Sequence, residues 1–285
     1  MGAVEMTSLI ARLLYYSGLP SYANRFWAGR RRFVLMFHGV SARKHASIPL
    51  GVQPYLSSAE LDSILGWIKK YFVFLSPREF FETRKPGILL TFDDGFSNNE
   101  TNVLPILETY HAPAVFFITT QHVLEPRNWL PATRIAIRTY WRAESEVPED
   151  LALDFFDGMN PGQLKRCADH PLITIGSHTL SHPFLTGQPV SPNWRAELTE
   201  SKRLLESFTR QSVDYFAYPT GDYNQVVIDA IREAGYRAAF AVETKRLGDP
   251  QYEIPRIGLF DSDPVYLALK LSGFHRLPLP VDSFC

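Results

Sequence analysis

The sequence has little cysteine, no long apolar run and no surplus of charge of either sign. Only Cys167 and Cys285 occur among its 285 residues, which excludes a disulfide framework and a zinc site built from cysteines. No stretch approaches the roughly 18 consecutive apolar residues that a membrane-spanning helix needs. The 29 Lys and Arg residues nearly balance the 30 Asp and Glu residues, so we expect no nucleic-acid partner.

Aromatic residues and proline are, in contrast, plentiful. The chain has 5 Trp, 13 Tyr, 20 Phe and 21 Pro, while its 45% hydrophobic and 21% charged residues are ordinary for a globular protein. The prolines indicate many loops, and aromatic rings are natural walls for a sugar. The length suits one large domain, and a single α/β barrel would use all of it.

Short apolar runs alternate with patterns of helical period along most of the chain. Continuous apolar runs predict buried parallel strands, and helices begin at Ser57 or Ser58 and at Pro77. This alternation is typical of a parallel α/β fold. Residues 121–171 interrupt it, and we interpret them as a helical insertion. The predicted strands are 33–37, 71–75, 88–92, 114–118, 172–176, 215–218 and 238–242, and the longer helices are 99–110, 193–208 and 225–234.

Residues 1–32 form an amphipathic and basic N-terminal segment. Residues 8–16 predict a short amphipathic helix, and aromatic and basic residues follow at 25–32. Such a segment can lie on an anionic membrane surface. The alternative is a helix that closes the bottom of a barrel. No export signal is visible, because Glu5 occupies the region that should be basic, so we expect a cytoplasmic protein, resting on the inner membrane in the first case. The sequence leaves the oligomeric state open.

Three polar stretches each follow a predicted strand. They are residues 91–95 (TFDDG), residues 177–182 (SHTLSH) and His38 after the run FVLMF. The carboxyl ends of parallel strands share one face, where the active sites of such proteins lie. The three stretches can therefore converge although they are distant in sequence.

The histidines of SHTLSH have the spacing of metal ligands. On a helical turn, His178 and His182 fall on one side, and Asp93 or Asp94 could supply a third ligand. Two imidazoles and one carboxylate leave positions open for water and substrate, as a catalytic metal site requires. Taken singly, Asp-Asp-Gly is also a common turn, and an isolated HxxxH is often a surface or capping feature.

Four stretches together resemble the polysaccharide deacetylases of the NodB-homology type (carbohydrate esterase family 4). They are LLTFDDGF (89–96), PAVFFI (113–118), IGSHTLSH (175–182) and FAYPTG (216–221), in the family's order. The resemblance covers roughly residues 33–260. It implies a single distorted (β/α) barrel over 33–285 and a hydrolase that removes an N-acetyl group from an amino sugar of a glycan, a polysaccharide or a lipid-linked saccharide.

The resemblance also implies individual roles. Asp94, His178 and His182 match the metal ligands, and Asp93 matches the catalytic base. Thr220 matches the residue whose backbone N–H supports the oxyanion. The metal would be a divalent ion, Zn²⁺ first and Co²⁺, Ni²⁺ or Mn²⁺ otherwise, and it would lower the pKa of a water towards about 7.

Two departures from the family pattern concern the base and the acid. Ala217 stands where the family often has an arginine that orients the base, and Arg256 is the candidate substitute. The late Leu-x-His that supplies the general acid has no clear equivalent, since His275 fits poorly. The poly-N-acetylglucosamine deacetylase branch carries this histidine on an early strand, which His38 resembles. A histidine that only closes the barrel mouth is the alternative for His38.

The substrate and some rival functions stay open. The candidate sugar-binding residues are Tyr218, Pro219, Tyr55, Trp129 and Trp141. The same site would hydrolyse an O-acetyl or N-formyl group, and the missing arginine at Ala217 also admits a carbohydrate-binding pseudoenzyme. A non-haem iron oxygenase shares two histidines and a carboxylate but in another fold and spacing. A glycosidase needs two separated carboxylates, which adjacent aspartates are not.

Overall fold

A computed structural model describes residues 3–44, 56–83, 85–141, 143–186 and 193–274. Tyr55, His275 and most of the segment 45–56 lie outside the described residues. Across the described ranges, no helix combines the length and the apolar character that crossing a membrane requires.

Eight parallel strands form a nearly closed barrel in the order β10-β1-β4-β5-β6-β7-β8-β9. This confirms the predicted α/β barrel. A further pair, β2 and β3, forms a small parallel sheet beside it. The strands are β1 Arg32–Phe37, β2 Val40–Ser41, β3 Leu56–Ser57, β4 Gly87–Phe92, β5 Ala114–Ile118, β6 Ile173–Ser177, β7 Tyr215–Ala217, β8 Ala238–Ala241, β9 Ile254–Pro255 and β10 Ile257–Gly258.

The barrel closes at a seam made by the chain itself. Strand β9 pairs with β8, and β10 pairs with β1, yet only Arg256 separates β9 from β10 in sequence. The two ends of the sheet are thus joined by one residue. The Arg256 backbone N–H donates to the Ala241 carbonyl at 3.0 Å, which ties this residue to β8.

Helices cover the outside of the barrel and begin as the sequence predicts. Ser57 caps α3 in a capping box with Glu60, and Pro77 occupies the first position of α4. The α-helices are α1 Ala3–Tyr16, α2 Leu19–Ala28, α3 Ser58–Ile68, α4 Pro77–Glu82, α5 Leu104–Tyr110, α6 Thr120–Leu124, α7 Pro131–Tyr140, α8 Glu149–Leu151, α9 Pro161–Asp169, α10 Trp194–Thr209, α11 Gln225–Glu233 and α12 Pro264–Ser272. Single turns of other helix types occur at Asn99–Val103, Glu144–Glu146, Ala152–Phe156 and Pro219–Gly221.

The lower end of the barrel is closed by α4. Phe80 is buried among the residues that fill the barrel, and Phe81 stacks on Tyr215, the first residue of β7, with ring centroids 5.2 Å apart. The N-terminal helices α1 and α2 instead pack against each other and against α12. The helix predicted at residues 8–16 is observed within α1, and its place at the barrel bottom stays a prediction.

The segment between β5 and β6 is helical, as predicted, and carries a small apolar cluster of its own. Trp129, Ile137 and Phe156 belong to this cluster. Hydrogen bonds fasten the segment to the barrel near the site. Asp154 accepts from the Ala42 N–H, and the Ser97 N–H donates to the Asp157 carbonyl at 2.8 Å.

One predicted strand is absent from the described structure. Residues 71–75 make only an isolated bridge, between Phe74 and Ile88. The chain turns away at once, because Ser76 caps α4. Gly87 accommodates the close approach with φ of 152°, since a Cβ there would lie 2.6 Å from the Val73 carbonyl oxygen.

Candidate metal centre and active site

The candidate site lies at the carboxyl ends of strands β1, β4 and β6, which share one side of the barrel. Asp93 and Asp94 come directly after β4, His178 directly after β6, and His38 directly after β1. Strands β1 and β4 end at the same level, because Phe37 pairs with Phe92 and the Asp93 N–H donates to the Phe37 carbonyl at 3.0 Å. The sequence prediction that these distant stretches converge is confirmed.

Asp94, His178 and His182 form a group that could hold a metal ion. One ligand atom from each lies within 4.8 Å of the others. Asp94 Oδ1 is 3.7 Å from His178 Nε2 and 3.7 Å from His182 Nε2. Two ligands at 2.0–2.2 Å from one tetrahedral ion are about 3.4 Å apart, so these separations suit a metal such as zinc.

His178 is held in the form that binds metals. Its Nδ1 is 2.8 Å from the Ala217 carbonyl oxygen, and since a carbonyl only accepts, Nδ1 carries the proton and Nε2 keeps its lone pair. Burial lowers the pKa of His178 to about 3, against the opposing effect of the Asp93 charge. The imidazole is therefore neutral at pH 7, as a metal ligand must be.

His182 reaches the group because its loop adopts unusual backbone angles. Thr179 has φ of 68° and His182 has φ of 58°, both in the left-handed region. The Thr179 hydroxyl accepts from the His182 N–H at 3.0 Å. Glu197 on α10 accepts from the Ser181 N–H and from the Ser181 hydroxyl, each at 2.8 Å. Helix α10 thus anchors the loop that presents the second histidine.

Asp93 and Arg256 form a buried ion pair beside the metal-binding group. Arg256 Nη1 lies 2.6 Å from Asp93 Oδ1, and both side chains are almost fully buried. Burial alone would raise the pKa of Asp93, but Arg256 outweighs it through its charge and its hydrogen bond, and the pKa is lowered. Asp93 is consequently ionised. Arg256 contacts it directly, as predicted for the residue that would substitute for the arginine missing at position 217.

His38 lies next to Asp93 at the end of β1. Asn99 Nδ2 donates to its carbonyl oxygen at 3.0 Å, which fixes the backbone of this residue. Within the described residues, the buried His38 Nδ1 atom has no hydrogen-bond partner. The ring therefore has an unpaired polar atom in the neighbourhood of Asp93.

Thr220 lies in the turn that follows β7, at the same end of the barrel. Its φ of 57° is in the left-handed region, and its hydroxyl donates to the Pro219 carbonyl at 2.6 Å. Pro219 is buried. The structure thus places Thr220 at the mouth but gives no contact between it and the other site residues.

Two of the aromatic residues that were predicted to contact a sugar, Tyr218 and Trp129, are buried by other contacts. Tyr218 is fully buried, stacks on Tyr223 with ring centroids 4.5 Å apart and donates to the Tyr252 carbonyl at 2.9 Å. Trp129 is buried in the insertion, with Nε1 donating to Asp157. Neither ring can face a sugar.

Two other predicted sugar contacts have different outcomes. Trp141 is half-buried and lies edge-on to Phe156 within the insertion, with ring centroids 6.3 Å apart. Tyr55 lies outside the described residues, so its sugar contact stays a prediction.

Sequence reasoning missed three residues that support the site. His122, buried below it, approaches the Asp94 carbonyl at 3.4 Å and the Phe156 carbonyl at 3.1 Å, and burial lowers its pKa to about 4. Thr91 accepts from Arg256 Nη1 at 3.3 Å. Glu197 anchors the His182 loop. His122 and Glu197 belong to no motif, and Thr91 lies in TFDDG without a predicted role, so only their three-dimensional contacts reveal this support.

The family comparison matches more than half of the chain. The model of the family described as polysaccharide deacetylase matches residues 81–239. YxkH of Bacillus subtilis strain 168 is 23% identical over 219 residues, 74% of this chain and 64% of that protein. The chain thus spans under two thirds of YxkH. Poly-beta-1,6-N-acetyl-D-glucosamine N-deacetylase of Staphylococcus aureus strain MRSA252 is 25% identical over 237 residues, 78% of this chain and 73% of that protein.

Solved structures share the fold at low sequence identity. Streptococcus pyogenes deacetylase PplD, in complex with acetate, superposes with a TM-score of 0.61 at 20% identity, covering 80% of this chain and 92% of that chain. IcaB from Ammonifex degensii gives a TM-score of 0.60 at 18% identity, covering 85% and 97%. The barrel, the order of the motifs and the family match agree, and the chain belongs to the polysaccharide deacetylase family.

Proposed function

We propose that the protein is a metal-dependent hydrolase that removes the N-acetyl group from an amino sugar in a glycan, a polysaccharide or a lipid-linked saccharide. The observation that carries this proposal is the pairing of two groups at one barrel mouth. Asp94, His178 and His182 have the spacing of metal ligands. An ionised, buried carboxylate, Asp93, lies beside them.

The three ligand residues would hold a divalent ion, Zn²⁺ first and Co²⁺, Ni²⁺ or Mn²⁺ otherwise. When bound, such an ion supplies Lewis-acid chemistry and lowers the pKa of a water. The residues fit this role because His178 is neutral, with its Nδ1 proton committed to the Ala217 carbonyl. The backbone of His182 is held by the bond from its N–H to the Thr179 hydroxyl.

Asp93 acts as the general base. It accepts the proton of the water that attacks the amide carbonyl, and it can do so only while ionised. Arg256 keeps the carboxylate ionised and fixes Oδ1 at 2.6 Å from Nη1. The other carboxylate oxygen is then the one available to the water. The ion pair argues against a pseudoenzyme, because Arg256 can take the orienting role of the arginine that residue 217 lacks.

His38 and Thr220 act on the amide as it breaks. His38, protonated, donates to the leaving nitrogen, because an amine anion is too poor a leaving group for the bond to break otherwise. The Thr220 backbone N–H donates to the carbonyl oxygen as negative charge develops there. These two roles are inferred from the family motifs and from the position of both residues at the mouth.

The similarity to the Staphylococcus aureus enzyme supports an N-acetylglucosamine unit as the substrate. That protein is named for N-deacetylation of poly-beta-1,6-N-acetyl-D-glucosamine. An N-acetyl sugar is neutral, which agrees with a chain whose net charge is only -1. O-acetyl and N-formyl sugars are the alternative substrates of the same chemistry.

Acetate release tests the proposal. Purified protein is stripped with a chelator, reloaded with zinc and incubated with β-1,6-linked and β-1,4-linked N-acetylglucosamine oligomers, and mass spectrometry follows the loss of acetyl groups. We expect deacetylation by the reloaded protein and none by the stripped protein. The rates on matched O-acetylated and N-formylated sugars show which of the alternative substrates the protein prefers. Failure of the zinc-loaded protein on every N-acetyl sugar would overturn the proposal.

A further inference from the structure

Charge is distributed very unevenly along this nearly neutral chain. Residues 1–59 contain seven Lys and Arg residues and a single acidic residue, Glu5, although the whole chain has a net charge of -1. The seven basic residues are Arg12, Arg25, Arg30, Arg31, Arg32, Arg43 and Lys44. Five of these residues lie on helices α1 and α2 or within four residues of the end of α2: Arg12, Arg25, Arg30, Arg31 and Arg32.

Helices α1 and α2, the N-terminal hairpin, are fastened to the barrel by one face only. They pack on α12, where the buried Asn24 donates from Nδ2 to the Ala268 carbonyl at 3.2 Å. Ala11 and Pro20 are buried at the same inner face. The hairpin is thus a docked part of the molecule, and its outer face is left without a covering element among the described residues.

The outer face of the hairpin is apolar and aromatic. Its large side chains recur at helical spacing on each helix, so they form one stripe per helix. Each is between 40% and 77% exposed. These residues are Leu9, Leu13 and Tyr16 on α1, and Leu19, Tyr22 and Phe26 on α2.

Basic residues lie among and beside these apolar residues. Arg12 and Arg25 are exposed on the two helices. Arg30 lies over the Phe26 ring at 4.1 Å, and Arg31 lies over the Trp27 ring at 3.4 Å. Among the described residues, no carboxylate forms an ion pair with any of these four arginines. Their charges remain available to a partner.

We propose that the N-terminal hairpin binds the surface of an anionic lipid bilayer. Exposed leucine and aromatic side chains enter the boundary between headgroups and acyl chains, and the arginines meet the lipid phosphates. Helices of 14 and 10 residues are short for crossing a bilayer but long enough to lie in its surface. A second copy of the chain is a less favourable partner for this face. A two-fold contact would place the arginines of one hairpin against the same arginines of the other, and like charges repel.

The proposal is tested by sedimentation of the full chain with vesicles. One set of vesicles is phosphatidylcholine alone, and another contains 30 mol% phosphatidylglycerol, an amount on the order of the anionic content of natural membranes. We expect binding to the second set only, weakened by salt because each basic residue contributes about fivefold at low ionic strength. The variant Leu13→Glu/Tyr22→Glu should bind at least tenfold more weakly, since it places charge in the apolar stripe.

Two further variants and one measurement complete the test. Ile135→Glu alters a side chain of similar exposure on α7 and should bind as the wild type does. Arg12→Gln/Arg25→Gln should lose most binding while leaving the apolar stripe intact. Circular dichroism verifies that each variant is folded. Equal binding by the wild type and Leu13→Glu/Tyr22→Glu would overturn the proposal, and so would a dimer in sedimentation equilibrium that this variant abolishes. The test uses no substrate, so it is independent of the proposed catalytic function.

Discussion

At the scale of residues, the proposed chemistry depends on one arginine from the C-terminal part of the sequence. Arg256 and Asp93 are 163 residues apart in sequence, yet their side chains are in contact and buried. Two buried charges are stable together only because each is the other's partner. The pair therefore fixes both the ionisation and the orientation of Asp93, the proposed base.

Replacing Arg256 by Gln should raise the pKa of Asp93, because burial would act on the carboxylate without its main positive neighbour. An ionised Asp93 is required, so the acid limb of the profile of kcat/KM against pH should move to higher pH. We expect kcat to fall about 100-fold from the misplaced base. Arg256→Lys, which keeps a charge, should recover part of the loss.

The matched control is Arg232→Gln. Arg232 is a surface arginine that pairs with Asp229, and its replacement should leave the pH profile unchanged. An acid limb that stays in place in Arg256→Gln would show that Arg256 does not set the ionisation of the base.

The four central site residues could be predicted from sequence, whereas the sugar-contacting aromatics could not. Asp93, Asp94, His178 and His182 combine metal or base chemistry with a place directly after a strand, and those two properties together select them. Side-chain burial is set by packing that the sequence does not display. Tyr218, for example, faces Tyr223 in the core, although its motif lies at the mouth.

At the scale of elements, strand ends position the chemistry and helix α10 supports it. The loop that carries His182 has two residues in the left-handed region, which cost energy unless the surroundings hold them. The bonds from Ser181 to Glu197 provide that support. A supporting residue of this kind affects metal binding without touching the metal.

The variant Glu197→Gln should therefore weaken zinc binding about tenfold, because one of the two bonds from Ser181 loses its acceptor. The dissociation constant is measured by competition with a chelator. Glu200→Gln, three residues along the same helix, removes only a contact with Arg203 and is the control. Equal affinities in the two variants would contradict the role of α10.

The bounds of a strand could be predicted closely where the burial of its apolar side chains alone decides them. The predicted strand at residues 114–118 is observed as Ala114–Ile118, since an apolar run between turn signals admits few alternatives. Residues 71–75 share that composition but make one bridge only. The start of α4 at Pro77 was predicted, whereas the pairing of residues 71–75 with a neighbouring strand is a tertiary arrangement that local pattern does not specify.

At the scale of the whole molecule, closure of the barrel and assembly of the site are the same event. Arg256, which joins β9 to β10, is the residue that contacts Asp93. Its ion pair with Asp93 therefore forms only when the first and last strands of the barrel come together. The residues proposed to bind the metal come from the loops that follow β4 and β6. A ligand that binds them should consequently stabilise the folded barrel.

Zinc at 100 times its dissociation constant should raise the free energy of unfolding by about 2.7 kcal/mol, because it binds the folded state in preference to the unfolded one. Denaturant unfolding with and without zinc measures this gain. Asp94→Asn removes one ligand and should show a much smaller gain. A gain of equal size in Asp94→Asn would place the metal elsewhere.

The most direct test of the central claim is acetate release by zinc-loaded Asp93→Asn, measured together with its zinc content. Metal binding is proposed for Asp94 and proton transfer for Asp93, so the two properties should separate. We predict one zinc per chain, as in the wild type, and deacetylation lower by about 10³-fold, within the usual range for loss of a general base. Wild-type turnover in this variant, or loss of its zinc, would contradict the account.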